Sequence, residues 1–181
     1  MLDKTLLKKI SKRKTIYPNQ FNGKKIPQKT IEKLLNVANT APSHKLTQPW
    51  FFKVFSGTSK YDLAQSVYKL NKKKKFEVIL DKFNLSSHII CICIRKSNKI
   101  PYWEEIAATA MAIQNIWISL VGSKNIGGYW SSPKNIKQLA NYLKLKKNEE
   151  CLGLFYLGEY DNVKDRKVMR KNIEDDIEWY D

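Results

Sequence analysis

The run Ala41-Pro42-Ser43-His44-Lys45-Leu46-Thr47-Gln48-Pro49-Trp50 holds the densest set of ligand-binding groups in this chain of 181 residues. Proline fixes φ and donates no hydrogen bond, so Pro42 and Pro49 should bracket a stiff loop between a helix end and a strand start. Backbone N–H groups in such a loop are not spent in regular structure. With the Ser43 hydroxyl and the His44 imidazole they could serve a ligand rich in carbonyls and ring nitrogens. The same spacing also fits a plain connection whose Trp50 fills the core.

Other chemistries have little to work with. His44 and His88 are the two histidines, and neither lies in a Ser–His–Asp or Cys–His pattern. Cys91, Cys93 and Cys151 form no disulfide framework, since any pairing leaves one over. Cys91 and Cys93 lie two apart in a strand-like run and share a sheet face, while His88 takes the other. That arrangement gathers no tetrahedral metal site, so the thiols read as small buried hydrophobes in a reducing cytoplasm. No G-x-G-x-x-G or G-x-x-x-x-G-K-[ST] occurs, which argues against a Rossmann or P-loop nucleotide site.

Charge is the abnormal part of the composition. Lys and Arg total 33 against 17 Asp and Glu, a net of +16. Only four of the basic residues are Arg, and residues 149–181 are net acidic, so the excess lies in residues 1–148. A positive body invites anions: nucleic acid, membrane surface or phosphorylated small molecules. Lysine spread over every element, with no interleaved aromatic-and-basic motif, argues against nucleic acid. The basic start Met1–Arg13 is not followed by an apolar stretch, so no secretory signal is expected. Ile106 to Ser123 carries no charge, yet Thr109, Gln114, Asn115 and Ser119 make a membrane span a poor fit.

The elements that would position these residues follow from periodicity. A helix is expected over 3–13, with Leu6, Leu7 and Ile10 at helical spacing. A second starts at Pro27, presents Ile31, Leu34, Leu35 and Ala38, and ends by Pro42. Trp50–Phe55 reads as a strand, 59–83 as a helix with Lys72–Lys75 facing solvent, and 88–95 as a buried strand. A long helix over 103–123 should be buried on nearly every side, with a second subunit as a candidate cover. Gly127-Gly128 reads as a turn before Tyr129-Trp130, and Pro133 as the start of a helix to Leu143. Cys151–Leu157 reads as the last strand. The order is α+β within a single domain, residues 1–181, and not a doubly wound sheet.

Four ordered segments resemble the nitroreductase family of FMN-dependent oxidoreductases. The 41–50 loop is similar to its A-P-S-x-x-x-x-Q-P-W signature, and Arg13-Lys14-Thr15 to its R-R-[ST] phosphate motif. Gly127-Gly128-Tyr129-Trp130-Ser131-Ser132 resembles the segment beside the flavin's reactive face. Leu152-Gly153-Leu154-Phe155-Tyr156-Leu157-Gly158 resembles the strand that closes the family's sheet, and Ile100-Pro101-Tyr102-Trp103-Glu104 its minimal bacterial members.

The resemblance implies a central, mostly antiparallel sheet flanked by helices, with a long buried central helix. It implies FMN, with Arg13, Lys14 and Thr15 on the phosphate, Lys14 keeping the charge but not the planar fork of the usual Arg. Pro42, Ser43 and His44 would reach the flavin ring from the opposite subunit of a homodimer. Gly128, Trp130, Ser131 and Ser132 would lie near flavin N5, and glycine would permit that approach. Arg170, in the stretch Arg166-Lys167 and Arg170-Lys171, is a further phosphate candidate. The implied reaction passes hydride from NAD(P)H through the flavin to a nitroaromatic, quinone or similar planar acceptor. Flavin fragmentation and dehalogenation, found in distant relatives, are the alternatives. No catalytic side chain and no metal is required.

Overall fold

The computed structural model describes residues 2–70, 75–123, 125–163 and 168–180. Of the lysine run 72–75 only Lys75 falls among them, and it is exposed. Arg166 and Lys167 lie outside the described residues.

Four strands form one sheet in the order β1-β2-β4-β3, every neighbour antiparallel. They are β1 (Trp50–Ser56), β2 (His88–Arg95), β3 (Ile126–Ser131) and β4 (Glu149–Glu159). Strand β2 carries an unbroken apolar run because both its faces are covered: His88 to Ile94 are all buried. Ile89, Cys91 and Cys93 face one core with α3 (Ser59–Leu70) and α4 (Phe76–Leu85). Ile90 and Ile92 face the other, shared with α2 (Gln28–Ala38) and α5 (Tyr102–Ser119). Helices on both faces of an antiparallel sheet give the expected α+β architecture.

Helix α1 (Lys4–Lys12) starts where Asp3 Oδ1 accepts the Thr5 N–H at 2.8 Å. None of its residues is buried, although Leu6, Leu7 and Ile10 make an apolar stripe. Helix α5 likewise buries only one side, through Ala108, Thr109, Ala112, Ile113 and Ile116. Trp103, Ile106 and Met111 stay exposed, so within one chain the central helix is not enclosed on nearly every side. No described helix is long and apolar enough to cross a membrane.

Three expectations change. The stretch 59–83 holds two helices, packed so that the buried Lys60 ammonium of α3 reaches the end of α4. There it donates to the carbonyls of Phe83 at 2.8 Å and Ser86 at 2.5 Å, groups a helix C-terminus leaves unpaired. The stretch after Pro133 forms a 3-10 turn at Ile136–Ala140 and no α-helix, with Asn135 just before it in a left-handed conformation at φ 65°.

Gly127 and Gly128 are not a turn but central residues of β3, opposite Gly158 and Leu157. Side-chain space requires them there. A Cβ on Gly127 would stand 2.4 Å from Ile16 Cγ1, and one on Gly128 2.3 Å from Phe155 Cζ.

Candidate functional site

Helix α1 ends at Arg13, and the extended chain after it is tied to β3 where Ile16 N–H donates to Gly128 O at 3.2 Å. That places Arg13, Lys14 and Thr15 on the wall of a cavity of about 650 Å3, with Trp117 and Tyr160 among its other walls. The Arg13 guanidinium lies 4.9 Å from the centre of the Trp117 ring. Trp117 is itself fixed, donating from Nε1 to Gly128 O at 3.1 Å and meeting Phe155 edge-on at 5.4 Å.

Arg13 Nη1 is buried and has no hydrogen-bond partner among the described residues. Leaving such a donor unmade costs about 1–3 kcal/mol, more for a charged group. Lys14, near the Tyr160 ring at 6.0 Å, adds a second positive charge, and Thr15 a hydroxyl. Two cations, one of them with an unpartnered charged N–H, and a hydroxyl make a donor set that suits a phosphate dianion. A smaller cavity of about 450 Å3, near Asn19, Val78 and Lys82, is lined by Tyr129 of the 127–132 segment but by none of the phosphate or 41–50 loop candidates.

The proline-bracketed loop lies at the other end of α5. Its Nδ1 of His44 sits 2.5 Å from Glu104 Oε2, in the first turn of that helix. From Glu104 to Trp117 is thirteen residues, about 20 Å at ~1.5 Å per residue. The sequence candidates therefore fall into two groups within one chain: Arg13, Lys14, Thr15 and Gly128 near one end of α5, and Pro42, Ser43 and His44 near the other.

The loop's own hydrogen bonding differs from the expectation. Leu46 N–H donates to Ser43 O at 3.1 Å and Thr47 N–H to His44 O at 3.2 Å. Gln48 N–H donates to Ser43 Oγ at 3.1 Å. These three donors are spent inside the loop and are not held for a ligand. Closing it so tightly puts Lys45, Leu46 and Gln48 at φ 51°, 50° and 39°, a region non-glycine residues seldom occupy. Such strain gathers at functional sites when the surroundings enforce it. Trp50 is buried, with Nε1 donating to Asn39 Oδ1 at 3.1 Å, so the core-filling role is real beside any other.

Trp130 and Ser131 lie in β3, half-buried, and Ser132 is exposed just beyond it. Trp130 Nε1 is a second buried donor without a partner among the described residues. It occupies the space beside Gly153, where a Cβ would stand 2.3 Å from it. Arg170 is exposed and does not line the cavity, although Val168, two residues earlier, does. Trp117, Tyr160 and Glu104 were not singled out from the sequence as site residues. They are distant in sequence from the groups they touch, and only tertiary structure brings them there.

A three-layer α+β fold with an anion-ready cavity at one end of its central helix and a strained loop at the other defines the class. The chain belongs to the nitroreductase family, whose sequence model matches residues 10–159, and is an oxidoreductase of that kind. It is 27% identical over 165 residues to YfhC of Bacillus subtilis strain 168, named as a candidate NAD(P)H nitroreductase. That match spans 83% of this chain and 84% of the relative. The fold is similar to that of a nitroreductase-like family protein from Bacillus cereus, with a TM-score of 0.84, 22% identity and coverage of 99% and 98%. It is also similar to a nitroreductase with bound FMN from Bacteroides fragilis, with a TM-score of 0.69, 16% identity and coverage of 92% and 96%. Iodotyrosine deiodinase bound to FMN and 3-iodo-L-tyrosine shares the fold too, with a TM-score of 0.73, 19% identity and coverage of 93% and 96%.

Proposed function

We propose that this chain is an FMN-dependent NAD(P)H oxidoreductase, working as a homodimer on a nitroaromatic, quinone or similar planar acceptor. The unpartnered, buried Nη1 of Arg13 at the cavity wall carries the reading, because it is an open charged donor beside Lys14 and Thr15. Arg13 and Lys14 would hold the FMN phosphate and Thr15 would add its hydroxyl, while Trp117 keeps the guanidinium in place. FMN, when bound, supplies the hydride chemistry, which is why the chain needs no acid–base pair of its own.

The separation of the two residue groups along α5 supports a site shared by two subunits. Pro42, Ser43 and His44 of one chain would then face the flavin held by Arg13 of the other, with Gly128, Trp130, Ser131 and Ser132 on the flavin's near side. Glu104 would orient the His44 ring from behind. Dimerisation would also cover apolar surface left open in one chain: Leu6, Leu7 and Ile10 on α1, and Trp103, Ile106 and Met111 on α5. A nine-residue helix with no buried side chain has little to hold it in water alone. Three free cysteines suit a reducing, cytoplasmic setting.

The likeness to the deiodinase is one of fold and brings no acceptor with it. The test is to purify the protein, record its visible spectrum, and follow NADH or NADPH oxidation with nitroaromatic and quinone acceptors. A yellow protein with acceptor-dependent turnover is expected. A colourless protein that takes up no added FMN would refute the proposal.

A further inference from the structure

Strand alternation alone would separate the three cysteines. On β4, Phe155 and Leu157 face the α2 and α5 core, and Cys151 shares their parity. The ladder slips between Ile92 and Cys93, however. Ile92 stands opposite Gly153 but Cys93 opposite Cys151, which leaves Leu152 as the extra residue of a bulge. A bulge re-aims the side chains beyond it. Leu152 packs toward the α2 and α5 core, and Cys151 turns into the other core with Cys91 and Cys93. All three thiols are free and buried in the same core. Cys151 Sγ also lies 3.5 Å from Gly153 O. Packing alone would be met by any small apolar residue. It does not account for a bulge that gathers a third thiol.

We propose that Cys93 and Cys151 form a reversible cross-strand disulfide when the protein meets a peroxide, with Cys91 as the positioning thiol. Directly opposed residues of antiparallel strands have Cα atoms about 4.5–5.5 Å apart. That lies within the ~4.4–6.8 Å that a disulfide spans. Cys91 stands opposite Leu154, so its approach to Cys151 is diagonal, at about 7–8 Å and outside that range.

In the first step Cys151 sulfur bonds to one peroxide oxygen, the O–O bond breaks, and water leaves a sulfenic acid behind. Cys93 sulfur then bonds to Cys151 sulfur, the S–O bond breaks, and a second water leaves. The two thiols give up two electrons and two hydrogens, and hydrogen peroxide becomes two waters. Cys151 is the attacking sulfur because the neighbouring Cys91 and Cys93 thiols hold it below the ordinary cysteine value. Hydrogen bonding to Cys151 and burial push those two thiols up instead.

The experiment uses the purified wild-type protein with its flavin, desalted from reductant and treated with hydrogen peroxide. The protein is then unfolded in an alkylating agent and mapped by peptide mass. One alkylated cysteine per chain, Cys91, and a linked Cys93–Cys151 peptide are expected, with dithiothreitol restoring three alkylated thiols. Cys91→Ala should form the same link more slowly. Three alkylated cysteines after treatment, oxygen adducts without a link, or a link through Cys91 would each overturn the assignment. None of these outcomes depends on the flavin reading, because the thiols lie outside the cavity.

Discussion

Arg13 is the side chain on which the proposed cofactor site rests, and it gives the sharpest residue-scale prediction. Charge-assisted hydrogen bonds contribute about 1.5–3 kcal/mol. At about 1.4 kcal/mol per tenfold, Arg13→Ala should weaken FMN binding about 10- to 100-fold in a fluorescence titration. Arg13→Lys should fall between, since it keeps the charge and loses the fork. Melting of the flavin-free protein should move little. Loss of the Trp117 contact, about 0.5–2 kcal/mol, opposes relief of an unpartnered buried nitrogen.

His88 makes a second prediction at this scale. Burial first, then the nearby charges of Lys60 and Lys25, hold its imidazole below the usual histidine value. The unfolded chain therefore takes up the proton first as pH falls, and stability drops below about pH 6.5, the ordinary histidine value. Denaturant melts at pH 7.5 and pH 5 should show that loss, and His88→Gln should shrink it. An unchanged pH dependence in the variant would contradict the assignment.

At the scale of elements, Gly128 shows how a glycine can be required for a reason nearer than the expected one. Its glycine reads as room for a flavin, but the structure gives a nearer cause, because a Cβ would strike the buried Phe155 ring. Overpacking of this kind costs about 1–3 kcal/mol. Gly128→Ala should therefore lower the melting temperature with or without FMN, and Gly128→Ala with Phe155→Leu should recover part of the loss. Destabilisation seen only in the flavin-loaded protein would favour the flavin explanation instead.

The helices α1, α2 and α5 and the strands β1, β2 and β4 were legible because their apolar periods are local. Three elements were not. Glycines marked a turn where two strands and Ile16 crowd together, and Pro133 marked a helix where the chain makes only a 3-10 turn. The pairing of α3 with α4 rests on Lys60 reaching the far end of α4, which no local period reports. The bulge at Leu152 was also invisible, since a register slip is a property of two strands and not of either alone.

For the whole molecule, the ordered motifs reported the family and the fold, but not how far apart one chain holds the two groups of candidate residues. The surplus charge proves mostly general. Of 33 basic residues, Lys12, Arg13 and Lys14 line the proposed phosphate cavity and Lys60 closes a helix end. The exposed stripe of α1 predicts that Leu6→Asp with Ile10→Asp gives a smaller species by sedimentation and that flavin is lost with it. A monomer that kept FMN would contradict the shared site.

The most direct test mixes two defective chains, one carrying Arg13→Ala and the other Ser43→Ala with His44→Ala. Each alone should bind FMN poorly. If one chain's Arg13 works with the other's loop, each mixed dimer regains one intact site and half the wild-type flavin, about a quarter for a co-refolded sample in which chains pair at random. No recovery in mixed dimers, with both variants folded, would place the two residue groups in separate functions and contradict the account.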